Sequence, residues 1–238
     1  MFSDAWKRIL NNAVPWYGRL PVDDRDELHG HMHVLLSEKH FEGAGGLELT
    51  EGMKLIVCAH AALLLLHRET DYFPKLTSIL IYPEAYAVKR RVQTGSGVFS
   101  EVVETRAGES WTSGTLILAW EDVARDLANP QATQSVVLHE FAHQLDAGSG
   151  VMDGAPILSG RELQHHWPEA LSDAYERLSQ ATRQHEQTLL RSYGAKNPAE
   201  FFAVATEAFF LYPVELQCGE PDLYAALCQY FKQDPASW

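Results

Sequence analysis

The chain is poor in cysteine, in positive charge and in long apolar runs. Three cysteines in 238 residues are too few, and odd in number, for a disulfide framework. Cys58 lies in an apolar stretch and reads as core, while Cys218 and Cys228 flank Pro221 with no second pair nearby. This usage fits a reducing compartment, and the cytoplasm is the expected location. Nineteen basic residues stand against 32 acidic ones, a net charge of −13. That balance disfavours bare nucleic acid and anionic membrane as partners and leaves a basic peptide or a basic protein compatible. The longest apolar run, Ala61 to Leu66, is far shorter than the roughly 20 residues of a membrane span. Residues Met1 to Leu10 are amphipathic and charged, without the apolar centre of a signal peptide. What is present is 46% hydrophobic content, enough for one sizeable core.

One stretch carries chemistry: His139-Glu140-Phe141-Ala142-His143. Residues four apart share a helix face, so His139 and His143 can hold one metal from one side. Glu140 can reach toward a water at that metal. This is the H-E-x-x-H signature of zinc proteases. Polar surface is the bland alternative, but Ser135-Val136-Val137-Leu138 before the motif and Leu145 after it make an apolar helix. Two imidazoles and a carboxylate in a buried segment are costly without partners.

A catalytic zinc site takes three protein ligands and keeps a fourth position open. No histidine follows His143 at short spacing. His165 and His166 lie beyond Pro156, and His185 reads as solvated. Better candidates lie between Asn197 and Phe210, where Asn197 suits an N-cap, Pro198 the first turn and Glu200 a capping box. Glu200 and Glu207, seven apart, share a face of an otherwise apolar helix. One acid can ligate the metal and the other can receive a ring N–H from a ligating histidine. The plainer readings are a capping residue for Glu200 and a salt bridge for Glu207.

These blocks resemble the Mlc titration factor A family of bacterial zinc metallopeptidases. The likeness rests on His139 to Asp146 and Asn197 to Val204, with Asp153-Gly154 and Gly114 to Trp120 in support, and spans roughly residues 10 to 215. The family's catalytic half is similar to the protease domain of anthrax lethal factor. That similarity implies a zincin-like fold, a third ligand at Glu200 and a site-facing tyrosine at Tyr193, seven residues earlier. The second acid of lethal factor falls here on Val204, which leaves the supporting role of Glu207 open. The resemblance further implies an aminopeptidase-like enzyme acting on short peptides, with Zn2+ as cofactor and the glucose-regulatory repressor Mlc as a partner. In that scheme His139, His143 and Glu200 bind metal, Glu140 is the general base and Tyr193 donates to the oxyanion; otherwise Tyr193 is a packed loop aromatic. Asp146 either orients the helix or a ligand histidine, or caps locally. Asp146, Asp153 and Glu207 are candidates for holding a substrate amine. The alternative is a non-catalytic protein-binding regulator with a structural or vestigial zinc site, in which Glu140 would have no task.

The expected fold is α+β, mostly helical, with a small mixed sheet beside the H-E-x-x-H helix. A single domain is expected over 1–238, its N-terminal helical part at about 1–70 and its catalytic core at about 71–215. A short helix and a turn are expected over Trp6–Pro21, and helices over Asp24–Ser37, Thr50–His67, Glu121–Leu127, Asn129–Asp146, Glu169–Ser192 and Pro221–Phe231. Strands are expected at Leu76–Tyr82, Val98–Glu104 and Thr115–Trp120, with turns at Phe41–Gly46 and Gly108–Ser110 and a loop over Gly148–Gly160. His29, His31 and His33, spaced by two, share no helical face and read as surface. Phe201, Phe202, Phe209 and Phe210 read mainly as core.

Overall fold

A computed structural model describes residues 2–238 except 85, 94–98, 107, 111–113, 130 and 159; for 86–93, 99–106, 108–110, 149, 161 and 162 it gives the backbone course alone. Among the described residues the chain is mostly helical, with a small four-stranded mixed sheet and a two-stranded ribbon. Helices α1 (Asp4–Ala13), α2 (Val22–Glu38) and α3 (Glu51–Leu63) come first, with strand β1 (His40–Gly43) between α2 and α3. Strand β2 (Ser78–Tyr82), the antiparallel ribbon β3 (Tyr86–Gln93) and β4 (Phe99–Arg106), and strands β5 (Gly108–Ser110) and β6 (Thr115–Ala119) follow. The second half is helical: α4 (Trp120–Ala128), α5 (Val136–Asp146), α6 (Arg161–Arg183), α7 (Pro198–Leu211), α8 (Pro213–Gly219) and α9 (Pro221–Phe231).

The sheet runs β1-β2-β6-β5. β1, β2 and β6 are parallel, with Ile79 opposite Phe41 and Leu116, and β5 closes the edge antiparallel to β6. In β2 and β6 alternate residues are buried, the period of a pleated strand with one face on the core. The motif helix α5 runs beside β5 and β6 and packs on α3, α4 and α7. This is the expected α+β architecture, with the sheet beside the H-E-x-x-H helix.

Two caps set the helices that carry the motifs. Ser135 accepts the Leu138 N–H through its side chain, so α5 starts at Val136 and not near Asn129. Asn129 instead closes its own turn by accepting from Gln131 N–H. Asn197 accepts the Glu200 N–H, and Pro198 opens α7 as expected. α7 is buried from Phe201 to Phe210, which places the four phenylalanines in the core and forces Glu207 inside with them.

Several boundaries differ from the sequence reading. Thr50 caps its helix, but the α-helix ends at Leu63 and gives way to turns up to His67. His40–Gly43 is a strand although its composition suggests a turn, and Gly108–Ser110 pairs with β6 although it reads as a turn. Of the strand expected at Val98–Glu104, Val98 lies outside the described residues and the rest is β4. The long helix starts at Arg161 and carries Pro168 inside it; it ends at Arg183, where His185 takes a left-handed φ of 56°. β3 and α8 have no counterpart in the expected elements.

His29 and His31 are buried rather than on the surface. His29 Nε2 lies 2.7 Å from the Tyr17 hydroxyl, with its ring stacked on Phe2, and His31 Nδ1 lies 3.0 Å from the Tyr72 hydroxyl. Neighbours cover α2 on more than one side, so the spacing-by-two argument fails. His33 is exposed, as expected.

Candidate metal centre

α5 and α7 pack against each other and bring Glu200, in the first turn of α7, to His139 and His143 of α5. His139 and His143 stand one turn apart on α5, their rings edge to face at 4.8 Å. Their Nε2 atoms are 3.2 Å apart. Oε2 of Glu200 lies 3.0 Å from His139 Nε2 and 3.3 Å from His143 Nε2. Among the described residues, these three offer ligand atoms that all lie within 4.8 Å of one another. A four-coordinate metal with bonds of about 2.0–2.1 Å sets its ligand atoms about 3.3 Å apart. The observed triangle is near that size, so the donor set fits a metal ion.

The electrostatics are those of a group sharing one cation. Burial works against the charge of Glu200, but hydrogen bonds from His139 and His143 overrule it and hold the carboxyl well below its ordinary range. Burial likewise pushes the His139 pKa down, yet the hydrogen bonds to Glu200 and Glu207 carry it to about 10. An imidazole between two carboxylates holds a proton where a metal would otherwise balance the charge.

Glu207 lies behind His139, with its Oε1 2.8 Å from Nδ1. With Nδ1–H donated there, it is Nε2 that gives up its proton to a metal, and its lone pair then points into the triangle. Glu207 is 1% exposed and also accepts the Ser135 N–H at 2.6 Å and the Arg191 guanidinium. Glu140 is buried and near enough for its charge to raise the pKa values of both His139 and Tyr193. Tyr193, in a 3₁₀ turn (Ser192–Lys196) ahead of α7, is 46% exposed and donates its hydroxyl to Glu200 Oε1 at 3.2 Å. Burial, then the charge and hydrogen bond of Glu200, push its pKa up to about 12, so the hydroxyl stays a donor.

Asp146 is fully buried, and its Oδ2 accepts the Gly154 N–H at 2.9 Å, tying the end of α5 to the following loop. Of the acids considered for a substrate amine, Glu207 and Asp146 are closed off from one by burial. Asp153 is exposed on that loop and accepts the Ala155 N–H. His165, His166 and His185 are exposed and lie outside the cluster. Sequence reasoning missed Arg191, Gln134 and Asp126. They form a hydrogen-bonded chain from Glu207 through Arg191 and Gln134 to Asp126, whose Oδ2 takes the Val136 N–H at 2.9 Å. Only a long-range contact puts Arg191 beside Glu207, and no local spacing announces it.

Two histidines from α5 and a glutamate from α7 thus form a group that could hold a metal ion. The chain belongs to the family described as glucose-regulated metallo-peptidase M90, which it matches over residues 1–232. It is 38% identical to an uncharacterized protein of Synechocystis sp., covering 97% of this chain and 84% of that one. It is 28% identical to proteins of Yersinia pestis and Yersinia pseudotuberculosis named Mlc titration factor A, again over 97% of this chain and 84% of theirs. The family resemblance read from the two motif blocks therefore holds along the whole chain.

Proposed function

We propose that this protein is a cytoplasmic zinc-dependent peptidase that hydrolyses short peptides in the manner of an aminopeptidase. One observation carries the reading: His139, His143 and Glu200 converge on a single triangle with Glu140 on the same helix. Three ligands with a fourth position open are the donor set of catalytic zinc sites rather than closed structural ones. Zinc held there supplies a Lewis acid that polarises a scissile carbonyl and acidifies water.

The chain's own groups supply the rest. Glu140 takes a proton from the attacking water and passes it to the leaving amine. Glu207 fixes the tautomer of His139. Tyr193 leaves Glu200 and donates to the developing oxyanion, a motion within reach of an exposed side chain in a short turn. The names of the Yersinia relatives support a second part of the reading, binding of the repressor Mlc or its counterpart.

Metal analysis of the purified protein, with a cleavage screen over free and N-blocked peptides, tests this. The expected result is one zinc per chain, lost in Glu200→Ala, and cleavage confined to peptides with a free amino end. Full zinc in Glu200→Ala, with loss in Glu207→Ala, would overturn the ligand set. A zinc-replete protein that cleaves none of the peptides, yet binds a repressor, would favour the non-catalytic regulator.

A further inference from the structure

The two histidines of the centre are not held alike. His139 has the Glu207 carboxylate behind its Nδ1, whereas His143 Nδ1 has no hydrogen-bond partner among the described residues. The grip of His139 therefore depends on Glu207. Glu207 in turn is a carboxylate with a side chain 1% exposed. A buried carboxylate needs its charge balanced as well as its oxygens bonded. The Ser135 N–H at Oε2 supplies a hydrogen bond but no charge. His139 binds a metal as a neutral ring, so in the loaded site it brings Glu207 no charge either. Among the described residues, the arginine or lysine that touches Glu207 is Arg191, whose Nη2 bonds Oε1 while Nη1 lies 3.5 Å from Gln134 Oε1. Guanidinium keeps its charge at every working pH.

The backbone of the same residue has a second attachment. The Arg191 carbonyl accepts the Gly194 N–H at 3.0 Å and so closes the turn on which Tyr193 stands. One residue thus joins the carboxylate behind His139 to the turn that presents a hydroxyl at the front of the centre.

We propose that Arg191 is a positioning residue of the metal centre: by compensating Glu207 it keeps His139 aimed at the metal, an inference that rests on the zinc reading of the site. It acts through Glu207 and touches neither metal nor substrate. Losing the carboxylate behind a ligand histidine typically weakens metal binding 10- to 100-fold, and Arg191, one bond further out, falls at the low end of that range.

The test is zinc affinity by competition with a chromogenic chelator, on wild type, Arg191→Met, Arg191→Lys, Glu207→Gln and the Arg191→Met/Glu207→Gln pair. The melting temperature of each metal-free protein is measured alongside. Arg191→Met is expected to weaken zinc binding about 10-fold, and Arg191→Lys, which keeps the charge, to restore most of it. In the Glu207→Gln background the Arg191 change is expected to cost less than threefold, because its target carboxylate is gone. Zinc affinity within twofold of wild type in Arg191→Met, or full additivity in the pair, would overturn the inference and leave the zinc site standing. A lowered metal-free melting temperature with unchanged zinc affinity would reduce Arg191 to a structural anchor and overturn it too. Wild type that takes up no zinc would instead sink the zinc reading, and this inference with it.

Discussion

Tyr193 and Glu200 share a hydrogen bond of 3.2 Å between the phenol and the carboxylate oxygen that faces away from the histidines. The other oxygen of Glu200 faces both imidazoles. The phenol therefore stands beside the centre without adding to the ligand triangle. Tyr193→Phe removes the hydroxyl and keeps the ring. Loss of one oxyanion donor costs on the order of 10²-fold in turnover. Turnover is expected to fall by about that factor, with KM changed much less and zinc retained. Steady-state kinetics with metal analysis reads this; unchanged turnover would make Tyr193 a packed aromatic, and lost zinc a structural residue.

Gly154 joins the loop after α5 to the start of α7. Its φ is +79°, and a Cβ there would meet the Pro198 carbonyl oxygen at 2.4 Å. Its N–H is the donor to buried Asp146. Gly154→Ala therefore adds both backbone strain and a clash one turn from Glu200. A loss of about 1–3 kcal/mol is expected, or roughly 2–4 °C in Tm for each kcal/mol in a chain of this size. A thermal melt within 1 °C of wild type would show that the loop shifts freely.

His60 gives stability a pH dependence. It is buried on α3, its Nδ1–H donates to the Ile56 carbonyl, and burial lowers its pKa to about 4. The unfolded chain binds that proton near pH 6.5. Stability from the neutral ring is thus complete above about 6.5 and is lost as pH falls toward 4. The full effect is on the order of 3 kcal/mol. His29, lowered to about 4 chiefly by burial, acts in the same direction. Urea midpoints between pH 7 and 4.5 should fall in wild type, and His60→Leu should flatten the slope by about one proton. Parallel slopes in the two proteins would contradict the assignment.

The parts of the site legible in the sequence are those written in local spacing. His139, Glu140 and His143 are one helical turn, and Asn197, Pro198 and Glu200 are one helix start. The choice between Glu200 and Glu207 is not local: it depends on how α7 packs against α5, which a family likeness can point to and the composition of one helix cannot. The same holds for Arg191, adjacent to Glu207 in space and sixteen residues away in sequence. In the fold, apolar periodicity marked α3, α7 and β6. It failed at β1, a short strand with alternate residues exposed, and at α2, where packing from more than one side buries histidines that no single face would gather.

Glu140 decides whether the centre is a catalyst. It lies among the ligands but outside the ligand triangle, so Glu140→Gln should leave the metal in place and remove the general base. The decisive measurement is zinc content and peptide turnover on the same preparation of that variant. The account predicts one zinc per chain, as in wild type, with turnover reduced by about 10²–10⁴-fold. A zinc-replete Glu140→Gln protein turning over near the wild-type rate would contradict it.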